Sequence, residues 1–222
     1  MHVILKDIWQ QFRAMSVTEI IAALTGLVCI VLMVRNNIWT WLWSIVSVVL
    51  YGIVFVWQHL YANAGLQIFY FLPISFYAWW VWLRCGPNKN DDLPVTRMTR
   101  EQVAGWSVVT VVLCAIFAAI MKTPIWQDDH PYADGITTGL SVVAQYWQAR
   151  KWIENWVLWI VADTIYTFYL FPVSRMYPSV LLYTIILALA VIGWREWLKI
   201  MRAQETAAAL ASADSKPDER IQ

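Results

Sequence analysis

Seven apolar runs of near-membrane length punctuate this chain, at about residues 18–34, 38–58, 65–83, 103–121, 135–149, 156–171 and 178–198. A hydrocarbon core about 30 Å thick takes roughly 20 apolar residues of helix to cross, and inside it the backbone must satisfy its own N–H and C=O groups. Only helices or a closed barrel do that, and barrel strands alternate polar and apolar residues, which these uniformly apolar runs do not. The predicted fold is an all-α membrane protein with seven transmembrane helices. Composition agrees: 60% of the 222 residues are hydrophobic, 14% are charged and 16 are Trp, far from the average soluble domain.

The segments around the runs organise the rest. Residues 1–17 place Leu5, Ile8, Trp9 and Phe12 at helical spacing, which predicts a short interfacial helix lying on the bilayer. Residues 84–102 carry two Pro and several basic residues and read as a polar linker. The segment 203–222 is rich in Ala, Ser, Asp and Glu and is expected to be a disordered tail. If the amino terminus is outside, one side of the membrane collects Arg35, Arg84, Lys89, Arg97, Arg100, Arg150, Lys151 and the basic residues from Arg195 onward, whereas the other keeps only Lys6, Arg13, Lys122 and Arg175. Basic residues favour the cytoplasmic side, so the amino terminus is expected outside and the carboxyl terminus in the cytoplasm.

Several function classes are excluded on chemistry. A formal net charge of +1 with no clustered basic face argues against nucleic acid as a partner. Cys29, Cys85 and Cys114 are isolated, and His2, His59 and His130 form no HExxH or paired-metal spacing, so no metal or cofactor is predicted. The phosphate-binding pattern G-x-x-x-x-G-K-[ST] is absent, and the last run lacks the lysine that a Schiff-base photoreceptor needs between Tyr183 and Trp194. Neither an enzyme nor a receptor is expected.

The two halves of the chain repeat at an offset of about 116 residues. Trp43 falls opposite Trp159, Ser47 opposite Asp163, Tyr61 opposite Tyr177 and Gln67 opposite Tyr183; with the offset slipped by one, Trp79 and Trp82 match Trp194 and Trp197. Thr25-Gly26-Leu27 also matches Thr138-Gly139-Leu140. The expectation is a 3+1+3 plan: a triple-helix repeat over 18–83, a connecting transmembrane helix over 103–121 that restores orientation, and a second triple-helix repeat over 135–200. Parallel repeats of this kind are a transporter arrangement, with the solute held between them near the midplane.

Candidate solute contacts are the polar and aromatic groups inside the runs. Asp163 is a carboxylate in an otherwise uncharged stretch, with Trp159 four and Trp156 seven residues before it. An intramembrane carboxylate is expensive and marks a solute or ion pathway. Trp39, Trp43, Ser47 and Tyr51 recur every four residues in the second run, Trp156, Trp159, Asp163 and Tyr166 form another stripe at steps of three and four along the sixth, and Gln67, Gln145 and Tyr183 add hydrogen-bonding groups in the third, fifth and seventh. The predicted substrate-binding set is Trp43, Ser47, Gln67, Gln145, Trp156, Trp159, Asp163 and Tyr183. Indole faces attract cations and a carboxylate offsets positive charge, which points to a cationic or heteroaromatic metabolite.

The run from Arg150 to Asp163, with its W-x-x-W-x-x-x-N/D pattern, together with Met176 to Trp197 and Leu60 to Phe71, resembles the PnuC family of vitamin transporters over roughly residues 18–200. The resemblance implies a nicotinamide riboside transporter of a bacterial inner membrane, built as a full-length relative of the SWEET sugar transporters. It further implies facilitated diffusion, trapping of the vitamin by a cytoplasmic kinase, a role in NAD biosynthesis and a homo-oligomer, expected to be a trimer. Relatives that carry thiamine or riboflavin keep those substrates open, and the buried carboxylate keeps proton-coupled symport open.

Overall fold

In a computed structural model of the chain, residues 2–59, 61–86, 92–124 and 129–214 are described. They form α1 (His2–Ala14), α2 (Val17–Val34), α3 (Thr40–Trp57), α4 (Tyr61–Leu66), a π-helical turn π1 (Gln67–Phe71), α5 (Leu72–Arg84), α6 (Arg100–Met121), α7 (Pro131–Ala149), α8 (Asn155–Ile165), a second π turn π2 (Tyr166–Leu170), α9 (Phe171–Val173) and α10 (Tyr177–Asp214). Among the described residues the chain is all-helical apart from one isolated bridge between Thr96 and Trp152.

Helix starts follow local chemistry. Ser16 and Glu19 make a reciprocal capping box at the start of α2, as Thr99 and Gln102 do for α6, each satisfying two backbone donors that a helix start leaves unpaired. Pro131 opens α7, where its missing N–H costs nothing.

Six helices are long and apolar enough to cross a membrane: Val17–Val34, Thr40–Trp57, Asn63–Arg84, Arg100–Met121, Asn155–Val173 and Tyr177–Ala211. These six, found among the described residues, match six of the seven expected runs. The fifth run is a helix of 19 residues, α7, but it carries Thr137, Thr138, Ser141, Gln145 and Gln148, all buried. It packs on α5, α6 and α8, so neighbouring helices rather than an apolar surface of its own cover its polar face. A second difference lies at the carboxyl end, where helix continues to Asp214 instead of giving way to a disordered tail at 203; residues 215–222 lie outside the described residues.

Packing is cyclic. α2 packs on α3, α3 on α4 and α5, α5 on α7, α7 on α8, α8 on α10, and α10 back on α2, while α6 stands against α7 and α1 against α10. The α6–α7 contact is close because Gly135 and Gly139 lie four residues apart on one face of α7. A Cβ at Gly135 would meet the Ala118 backbone at 2.3 Å, and one at Gly139 would meet Cys114 at 2.8 Å. Small residues at this spacing let helix backbones touch.

Two proline residues explain the π turns. Pro73 and Pro172 each lie two residues beyond a π segment, and the residue just before each donates five residues back, Leu72 to Gln67 and Phe171 to Tyr166. A proline ring clashes with the carbonyl four residues earlier, and widening the turn by one residue relieves that clash.

The ends of the helices repeat as geometry. Asn36 and Lys151 have φ of 52° and 53°, and His59 and Arg175 have 60° and 54°. Asn37 donates to Leu32 and Trp152 to Trp147, both at 3.0 Å, closing the same left-handed terminal turn on α2 and α7. These pairs are 115 residues apart for Asn36 and Lys151, and 116 apart for His59 and Arg175.

Candidate functional site

The change of register from 115 to 116 has a visible source, because a π turn inserts one extra residue into a helix. π2 follows Asp163, so α3 and α8 match at 115 before it and 116 after it; π1 in the third helix takes the extra residue back, which is why Trp82 and Trp197 return to 115. At 115, burial agrees along the pair: Thr40, Trp41 and Ser47 are buried like Asn155, Trp156 and Ala162, while Leu42, Val46 and Val49 are exposed like Val157, Val161 and Thr164. Aromatic contacts agree too, Tyr51 stacking on Phe55 at 5.8 Å and Tyr166 on Phe171 at 5.2 Å. Asp163 therefore stands opposite Val48, not Ser47, and Trp159 opposite Ser44, not Trp43.

Asp163 is 2% exposed, and its Oδ2 finds no hydrogen-bond partner; nor does Thr167 Oγ1, one turn farther on. Among the described residues no cation pairs with it, the single ion pair being Lys199 with Glu196. A buried carboxylate without a countercharge is costly. Around it stand aromatic hydroxyls. The Tyr166 and Tyr183 rings lie 5.0 Å apart, and the Tyr183 hydroxyl lies in the field of Tyr166, Asp163 and Tyr51. The Tyr166 hydroxyl lies against Thr137 and Ser141 of α7. Four helices thus converge on one polar group: α3 through Tyr51, α7 through Thr137 and Ser141, α8 with π2 through Asp163 and Tyr166, and α10 through Tyr183.

The other predicted residues divide. Trp159 is half-buried on α8, and its Nε1 donates to Gln148 Oε1 at 3.0 Å, fixing the indole against α7. Gln145 is buried on the same α7. Gln67 is half-buried and opens π1. Trp156 is 2% exposed and belongs to the packing core: its ring meets Trp197 edge-on at 5.5 Å and closes on Gly193, where a Cβ would sit 2.4 Å from the indole. Ser47 turns toward α2, donating to the Ala22 carbonyl at 3.1 Å beside Gly26. Trp43 is 37% exposed. The stripe from Trp39 to Tyr51 drifts because a four-residue step overshoots a 3.6-residue turn by about 40°. Tyr51 lies in the field of the Tyr183 hydroxyl, and Trp43, two such steps earlier, sits about 80° away from it around α3.

Sequence reasoning did not single out Thr137, Ser141, Gln148 and Thr167, and it named Tyr51 and Tyr166 in the aromatic stripes without placing them in the predicted binding set. One signal for the α7 members was available: Thr137, Ser141, Gln145 and Gln148 recur at helical spacing in the least apolar of the seven runs, the pattern of a helix with one polar face.

Comparisons with known proteins place the chain. The family model described as nicotinamide mononucleotide transporter matches residues 16–199. The chain is similar to a nicotinamide riboside transporter PnuC of Escherichia coli (strain K12), 26% identical over 211 residues, covering 85% of this chain and 87% of the relative. It is also similar to the riboflavin/roseoflavin transporter RibM of Streptomyces davaonensis, 27% identical over 186 residues, covering 81% and 84%. Among solved structures, a crystal structure of the vitamin B3 transporter PnuC matches with a TM-score of 0.70 at 25% identity, covering 90% of each chain.

Proposed function

The chain belongs to the nicotinamide mononucleotide transporter family, the PnuC family of membrane transporters, and on that premise we propose that it takes up nicotinamide riboside by facilitated diffusion. The observation that carries the reading is the buried Asp163 carboxylate, which has no countercharge among the described residues and lies with Tyr51, Tyr166 and Tyr183, about one helical turn beyond Trp159. A pyridinium riboside supplies what this group lacks. Its ring is cationic and flat, suited to indole and phenol faces, and its ribose hydroxyls donate to carboxylate and glutamine oxygens. Gln145 and Gln67 complete the proposed contacts.

The architecture proposed for this function is 3+1+3, with α2, α3 and α4–α5 as one unit, α7, α8–α9 and α10 as the other, and α6 between them in sequence. Support comes from the cyclic packing, in which α5 meets α7 as α10 meets α2, and from helix ends that recur at 115 and 116 residues. In this plan α7 is the fifth of seven spans, its polar face turned to the solute. The proposal includes a multi-pass protein of the inner membrane with its amino terminus outside, trapping of the riboside by cytoplasmic phosphorylation, and assembly as a homotrimer.

The relative RibM favours a second reading, in which the solute is riboflavin. Its isoalloxazine is flat but uncharged, so it leaves Asp163 without a counter-ion. Uptake of labelled nicotinamide riboside, riboflavin and thiamine into proteoliposomes, with a pH-sensitive dye inside, separates the readings. Riboside uptake without a pH change is expected, and riboflavin uptake without riboside uptake would reassign the substrate.

A further inference from the structure

At the end of the bundle where α2 and α7 finish, a cavity of about 290 Å³ is lined by Asn36, Asn37, Trp39, Trp82, Asp92 and Lys151. It is distinct from the Asp163 group, which lies eight residues into α8, roughly 12 Å along the helix axis. Lys151 is 3% exposed, and its ammonium lies 4.0 Å from the centre of the Trp82 ring. No carboxylate of the described residues comes within ion-pair distance of it; Asp92 acts on it from farther off. The Oδ1 of Asn36 is likewise buried without a partner.

Both residues occupy the left-handed position that ends a helix, and the same backbone turn holds each, so their side chains leave from fixed points toward one space. Arg35 and Arg150 precede them in sequence and add positive potential. A buried ammonium over an indole is partly compensated, but a charged partner would stabilise it further. The chemistry of the walls then specifies the occupant. Lys151 calls for an anionic group, Asn36 Oδ1 and the Asp92 carboxylate for hydroxyl donors, and the exposed Trp39 indole for a flat ring.

We propose that this cavity binds a nucleoside monophosphate, with its phosphate on Lys151, its ribose hydroxyls on Asn36 and Asp92, and its base against Trp39. Burial, which pushes the Lys151 ammonium down to about 8 against the pull of Asp92, leaves the amine mostly charged at neutral pH. A cationic base gains a further partner in Asp92, so the phosphorylated counterpart of the proposed solute fits best. This preference, and the assignment of the cavity to the cytoplasmic side, rest on the function proposed above. Occupancy there places the phosphorylated product at the mouth through which the riboside leaves, and it slows further release.

The test is calorimetric titration of the purified full chain in detergent with nicotinamide mononucleotide, adenosine monophosphate and inorganic phosphate, each repeated with nicotinamide riboside. The mononucleotides are expected to bind, inorganic phosphate more weakly. Lys151→Gln should weaken mononucleotide binding about tenfold or more, as loss of a charge-assisted contact does, and leave riboside affinity unchanged. Asn36→Gly keeps the left-handed backbone and should weaken mononucleotide binding by a smaller factor. Absence of mononucleotide binding to the wild type, equal binding by Lys151→Gln, or loss of mononucleotide binding in Asp163→Ala alone would overturn the site. Mononucleotide binding that depends on Lys151, in a protein that binds no riboside, would support the site while overturning the proposed substrate.

Discussion

The rings of Trp82 and Trp197 lie 6.1 Å apart, and each indole reaches across to close a helix of the other half of the chain. Trp82 Nε1 donates to the Ala149 carbonyl at the end of α7 at 3.2 Å, and Trp197 Nε1 donates to the Met33 carbonyl near the end of α2 at 2.9 Å. Behind them Trp41 meets Trp82 edge-on at 5.3 Å and 89°, and Trp156 meets Trp197 at 5.5 Å and 88°. Four indoles thus form a row built twice from the same parts, and it ties the ends of α2 and α7 together beside the Lys151 cavity.

Removing the Trp82 donor strands the Ala149 carbonyl in an apolar cluster, at a cost of about 1–3 kcal/mol, whereas the Met33 carbonyl keeps the Asn36 N–H at 2.9 Å when the Trp197 donor is removed. Trp82→Phe and Trp197→Phe are expected to lower the unfolding temperature in detergent, measured by differential scanning fluorimetry, the first by more. A larger loss for Trp197→Phe than for Trp82→Phe would contradict this account of the two acceptors.

The α6–α7 contact predicts a sharp contrast between glycines. Gly139→Leu drives a side chain into the Cys114 backbone, whereas a Cβ at Gly105 meets nothing within 4 Å. Overpacking of this kind costs about 1–3 kcal/mol or more, so Gly139→Leu should reduce the yield of folded protein on size-exclusion chromatography while Gly105→Leu elutes like the wild type.

Much of the fold was legible because hydropathy and tryptophan spacing carry it directly: six of the seven runs became apolar helices, five of them of nearly the expected limits and the last continuing past residue 198 to Ala211. α7 was harder to read, since a helix enclosed by α5, α6 and α8 needs no apolar surface of its own. Asp163 and Tyr183 were legible as polar groups in apolar runs. The pairing of Ser47 with Asp163 was misread because a constant offset ignores the residue that π2 inserts, and Pro172, the cause of that insertion, lies downstream of both matches. Trp43 and Trp156 stood out as indoles near Asp163 in pattern, yet helical drift separates the first from Tyr51 around α3, and Gly193 draws the second into the core.

Lys151 predicts a pH dependence of stability. Its ammonium lies at about 8 in the folded chain against an ordinary 10.5, lowered by burial and partly restored by Asp92. Between those values the unfolded chain binds the extra proton, so this group's contribution to stability rises with pH from about 8 to 10.5 and is at its lowest below 8. Lys151→Met should remove that rise. Equal pH slopes for unfolding of wild type and variant across this interval would contradict the environment described for Lys151.

Side-chain direction on α3 and α8 gives a test of which indoles meet the solute. Trp159→Ala should weaken nicotinamide riboside binding about tenfold or more, as loss of a cation–aromatic contact in a desolvated site does. Trp43→Ala should leave affinity within about twofold, being outside the convergent group. Microscale thermophoresis on both variants reads the difference, and the reverse order would place the solute on the other side of α3.

The central claim is that the solute supplies the countercharge Asp163 lacks. Calorimetric titration of nicotinamide riboside into purified wild type and Asp163→Ala tests it most directly. The wild type should bind, and the variant should lose about tenfold or more in affinity, with an unfolding temperature equal to the wild type's or higher because an uncompensated buried charge has gone. Unchanged riboside affinity in a folded Asp163→Ala protein would contradict the account.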